Sequence, residues 1–254
     1  MSRRLAQFLI FSLTLLLGVS VHFHSLNRPT ETALVKPAPA ASASRSNEIL
    51  RVLLPNGNSA DETRLPEFDR IEAIDALKEA QRDARGDRAV GIVFLLAVLK
   101  EDYQTNRAKL IESLRGCQQL SYPQKQECAY SISSYLMELA RQGDMSLLTE
   151  IFSVHDLSDG DFSEELGYFY SNTLNKYPRE FLSALSFYPN DLQQRVCTMA
   201  EMEDGGGMAD ETYFEVRKLL KTLSVQKDSL APVATNCLHA MRQARIETLR
   251  QRED

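Results

Sequence analysis

Histidine is scarce in this chain: of 254 residues only His22, His24, His155 and His239 are histidine. The first two fall in an apolar N-terminal segment or at its edge, and the other two stand far apart. That starves both a Ser-His-Asp triad and a zinc site. No GxSxG, HExxH or glycine-rich phosphate loop occurs. No two cysteines stand as CxxC, and only His239 is near a cysteine in sequence, which leaves metal binding without a ligand set. A basic patch is missing as well. The net charge is -6, and Arg3, Arg4, Arg28, Lys36 and Arg45 outnumber Glu31 over residues 1–46, so the remainder is more acidic than the whole. An acidic body repels phosphate backbones and anionic lipid surfaces, so nucleic acid is not an expected partner. Alternating β-branched strands are also absent. Ala, Leu, Glu, Lys, Gln and Arg dominate from Leu65 onward, and these are helix formers.

What the sequence does have begins with an export segment. Met1-Ser2-Arg3-Arg4 is a short positive start, Phe8 to Leu17 is apolar, and Gly18-Val19-Ser20 offers small residues for cleavage. This is the layout of a secretory signal, and the stretch from Leu5 to Phe23 is also just long enough for an uncleaved anchor. Residues 1–24 are therefore expected to be a signal peptide or signal anchor. Residues 25–64 read as a Pro/Ala/Ser-rich linker with a short apolar island, Ile49 to Leu54, lying on the domain as a strand or turn or serving as a docking peptide. Residues 65–254 read as the domain.

The domain is expected to be all-α. Residues 89–99 are apolar on every face, too short to span a membrane, and so predict a helix buried on all sides with Asp87 as its cap. Neighbouring stripes at helical spacing include Phe68, Ile71, Ile74 and Leu77, then Cys128, Ile132, Tyr135, Leu136 and Leu139. Phe162, Leu166, Phe169, Thr173 and Tyr177 follow a cap from Asp159 or Asp161, and Pro178 and Pro189 start short helices. Gly205-Gly206-Gly207 reads as an inter-helix loop. Tyr213, Val216, Leu220 and Leu223, then Leu230, Ala234, Cys237 and Met241, complete the pattern. Short connections predict antiparallel helical hairpins. A Tyr-Pro turn recurs at Tyr122-Pro123 and Tyr188-Pro189, each followed by a helix bearing a cysteine, which raises an α-solenoid-like array.

Four cysteines follow the export segment, Cys117, Cys128, Cys197 and Cys237. An even number in an exported chain predicts disulfides, and three connectivities are open. Cys117 and Cys128 flank the hairpin turn at Tyr122-Pro123, which favours 117–128 with 197–237.

Other clusters have ordinary explanations. His155-Asp156-Leu157-Ser158-Asp159-Gly160-Asp161 resembles calcium-loop chemistry but lacks the sixth-place glycine and twelfth-place glutamate, so caps and Asx turns explain it. Met199, Met202, Met208, Met241 and His239 would suit copper, yet methionines at helical spacing are core filler. Tyr168, Phe169, Tyr170, Tyr177, Phe181, Phe187 and Tyr188 could line a groove, though half fall on the apolar stripes. Glu164 with Glu165 could do glycosidase work in principle. No catalytic, cofactor or metal residue is assigned. The expected function is a non-catalytic, exported or envelope-tethered interaction or scaffold module, periplasmic or extracellular, with a protein partner and membrane contact only through the N-terminal segment. The alternative is a helical hydrolase of an envelope polymer using paired carboxylates.

Overall fold

The computed structural model describes residues 39–55, 59–202 and 207–251, and these are all-helical, with no strand among them. The export segment expected at residues 1–24 lies outside the described residues, as do Gly205 and Gly206 of the glycine run. No helix of the described residues is long and apolar enough to cross a membrane.

The first helix, α1 (Pro39–Leu53), occupies what the composition marks as linker. Proline is tolerated at the first helical position, and the Ala- and Ser-rich run after it can continue a helix once a packed end supports it. That support is the apolar island: Ile49, Leu53 and Leu54 are buried, so the island is the docked end of a helix and not a strand or turn. A 3-10 turn at Glu62–Glu67 follows, then α2 (Arg70–Gln81) and α3 (Gly86–Val98). The apolar run does form the helix with cover all round, since Gly91 through Ala97 are all buried. Its start differs from expectation. Arg85 takes the cap position and Asp87 sits in the first turn, with Gly86 at φ 55°, a left-handed value that glycine adopts readily.

The remaining helices are α4 (Tyr103–Cys117), α5 (Gln124–Arg141), α6 (Leu148–Phe152), α7 (Gly160–Lys176), α8 (Pro178–Leu185), α9 (Asn190–Glu201), α10 (Asp210–Ser224) and α11 (Ala231–Gln251). Short 3-10 turns flank α6 at Met145–Leu147 and His155–Leu157. An aromatic cluster centred on Phe152, with Tyr170, Phe181 and Tyr188 around it, fills the middle of the body.

Helices α3, α5, α7, α9 and α11 touch in that order, with α4 packed on α3 and α5, and α10 on α7 and α11. Named contacts fix two of these registers. Tyr130 stacks on Phe162, Ser134 bonds Glu165, and Arg141 lies over Phe169, so α5 and α7 run parallel. Gln193 meets Asn236, Cys197 meets Cys237, and Glu201 meets Arg245, so α9 and α11 also run parallel. Between α7 and α9, Gly167 permits close approach: a Cβ there would lie 3.2 Å from the Met199 carbonyl oxygen.

The cysteines lie as two pairs at disulfide distance. Cys117 at the end of α4 joins Cys128 in α5, with Cα atoms 5.6 Å apart, and Cys197 in α9 joins Cys237 in α11 at 5.1 Å.

Candidate functional site

The parallel pair α5 and α7 leaves a groove along its seam. One hollow of about 490 Å³ has Phe94 and Tyr135 in its wall and carries Glu62, Glu127, Glu138 and Glu165. A second hollow of about 270 Å³ is lined by Tyr168, Phe169, Asn172, Lys176 and Tyr177. Arg141 lines both and stands between them.

Local sequence explains the placement. On α7 the apolar positions Phe162, Leu166, Phe169 and Thr173 are buried. Glu165, Tyr168, Asn172 and Lys176 recur at the same helical spacing one position off, which puts them along the edge facing α5. On α5, Ile132, Leu136 and Leu139 are buried, and Glu138 and Arg141, three apart, border the seam.

Charge along the groove is sorted. Among the described residues, Glu62, Glu127 and Glu165 have no basic group within ion-pair distance, and Glu165 accepts a hydrogen bond from the Ser134 hydroxyl at 3.0 Å. Burial, and behind it the neighbouring charges of Glu138 and Asp61, push the Glu62 carboxyl above its usual range. Arg141, between the two hollows, and Lys176, in the second, face aromatic rings. Arg141 lies 5.6 Å from the Phe169 centroid and has one long contact, 3.5 Å, with Glu138, while Lys176 lies 5.2 Å from the Tyr177 centroid.

A second groove, about 770 Å³, lies between α7 and α9 and is lined by His155, Ser163, Glu164, Gly167, Arg195 and Met199 among others. His155 is 6% exposed, its Nδ1 has no hydrogen-bond partner among the described residues, and burial pushes its pKa below the ordinary value. Arg195 is held by Asp191 at 2.8 Å and Asp156 at 3.0 Å.

The residues singled out from sequence separate on this scaffold. Glu164 and Glu165 open into different grooves, because consecutive helical residues point about 100° apart, and they do not face one another across one bond. In the acidic cluster, Asp156 bridges to Arg195, and Asp159 sits at the start of α7 but accepts from Tyr122 and Gln126 of the α4–α5 side instead of capping its own helix. Met208 and Met241 are core, Met199 and Met202 line the α7–α9 groove, and His239 is exposed, so the copper set is not assembled. Among the described residues no group of three or more His, Cys, Asp or Glu stands together as a metal site. Of the aromatics, Phe169, Tyr170 and Phe181 are buried, whereas Tyr168 and Tyr177 line the α5–α7 groove. Sequence reasoning passed over Arg141, Lys176, Glu62 and Glu138. For Lys176 and its α7 neighbours a signal existed, the polar stripe beside the apolar one, while Glu62 reaches the seam only through tertiary packing. Compared with known protein families, with curated proteins and with solved structures, the chain matches none.

Proposed function

We propose that this chain is a non-catalytic interaction or scaffold protein of the cell envelope, exported by its N-terminal segment, whose helices form a short solenoid-like array of antiparallel hairpins. One observation carries the reading. In both α5/α7 and α9/α11, parallel helices pack side by side with a single helix between them in sequence, which is how hairpin repeats stack to make an extended binding face. The pairing of all four cysteines suits an oxidising compartment. The face bordered by α5 and α7 is the binding surface, and its partner is a protein.

The test is site-specific photocrosslinking in the cells that make the protein. A photoreactive residue replaces Tyr168 in the groove or, as control, Phe187, which is 78% exposed and lines neither groove. A discrete adduct from the first position and not from the second is expected. No adduct at Tyr168, or the same smear from both, contradicts the reading. Export is tested separately: a reporter active only in the cytoplasm, fused after Asp254, stays silent if the chain is exported and lights up if it is not.

A further inference from the structure

The charges in the α5–α7 seam are ordered along its length. Glu138 and Glu165 border one hollow, Lys176 the other, and Arg141 stands at the junction. Glu165 and Lys176 are eleven positions apart on the single helix α7, which is a separation of about 16 Å along the axis. An extended chain covers that distance in about five residues. Within the protein, Glu165 has no basic partner and Lys176 no acidic one among the described residues, so neither charge is neutralised by an ion pair.

We propose that the seam takes an extended segment of a partner protein that carries basic side chains at one end and acidic side chains about five residues away. The basic end lies against Glu138 and Glu165, with Glu62 behind them. The acidic end meets Arg141 and Lys176, whose placement over aromatic rings keeps the two cations at the groove wall. This rests on reading the chain as an interaction module, and it adds the chemistry of what is bound. A single-sign partner is disfavoured, since a purely basic segment would meet Arg141 and Lys176 and a purely acidic one the four glutamates.

Fluorescence anisotropy on the full-length chain in nonionic detergent decides it. Three labelled peptides are compared: one with a lysine pair and a glutamate pair separated by four neutral residues, one with all charges lysine, one with all charges glutamate. The mixed peptide is expected to bind about fivefold more tightly than either of the others, the sum of a few exposed charge pairs. Lys176→Gln should bring the mixed peptide to the level of the all-lysine one. Lys176→Glu should invert the order in favour of all-lysine, and circular dichroism checks that each variant keeps its helices. The proposal is overturned if all-lysine binds as tightly as mixed to the unaltered chain, if Lys176→Gln changes nothing, or if no peptide binds. Failure here with a Tyr168 adduct still formed in cells removes this assignment alone. Failure of both removes the interaction reading with it.

Discussion

The pairs α5/α7 and α9/α11 share one geometry and end in opposite states. The α9/α11 seam is closed. Cys197 and Cys237 join it, Asn236 bonds Gln193 at 2.8 Å, and Arg245, 6% exposed, reaches Glu201 at 3.0 Å and the Met208 carbonyl at 2.6 Å. Arg245 also pairs with Asp210 and lies 4.8 Å from the Tyr213 ring centroid. Gly207 closes around this group at φ 80°, where a Cβ would stand 3.1 Å from the Arg245 guanidinium. The α5/α7 seam has no bridge, and its charges face outward into grooves. The same helix stacking is thus locked where charges are paired and buried, and left available where they are not. An unpaired buried charge is costly, whereas an exposed one costs little and can wait for a partner.

The contrast can be broken from the closed side first. Arg245→Met leaves Glu201 buried without its main cation and should cost about 3–5 kcal/mol in urea unfolding. Adding Glu201→Met should recover much of that loss, because the apolar pair removes the buried carboxylate. Next come the bridges. Alanine at both Cys197 and Cys237 opens a loop with a sequence separation of 40, and alanine at Cys117 and Cys128 one of 11. Chain entropy alone predicts losses of about 4 and about 3 kcal/mol respectively, read from the same unfolding curves. The smallest effect has the opposite sign and lies in the open seam. The pKa of Glu62 is raised in the folded state, so folding favours its protonated form and stability falls as pH rises through the unfolded and then the folded value. Glu62→Gln should raise stability at neutral pH by less than about 1 kcal/mol and leave it unchanged in acid below the carboxylate range, measured by thermal unfolding at both pH values.

Much of the closed seam's apolar frame is legible in the sequence. Tyr213, Val216, Leu220 and Leu223 are the buried positions of α10, and Leu230, Ala234, Cys237 and Met241 are buried on or beside α11. Period alone places them. On α2 the period misleads: Ile71 is 67% exposed, while Ala73 and Ala76 join Ile74 and Leu77 inside. Alanine gives too little hydrophobic contrast to reveal a buried face. Composition hides α1 for a similar reason, since Pro, Ala and Ser mark linkers and helix starts alike. Arg245 and Glu201 are 44 positions apart and read as two surface charges until α9 and α11 come together. The open seam is half legible, because the stripe of Glu165, Tyr168, Asn172 and Lys176 is a period, but its partner groups on α5 and at Glu62 arrive only with the fold.

The central claim is that the sorted charges of the α5/α7 seam recruit the partner. It is tested most directly by repeating the Tyr168 photocrosslinking in cells with Glu138→Gln, Glu165→Gln and Lys176→Gln combined. These side chains border the groove, none is fully buried, and glutamine can keep the hydrogen bonds Glu165 and Glu138 make, so the unfolding free energy should stay within about 1 kcal/mol of the unaltered protein. The account predicts that the adduct disappears while the folded domain persists, and an adduct of undiminished yield would contradict it.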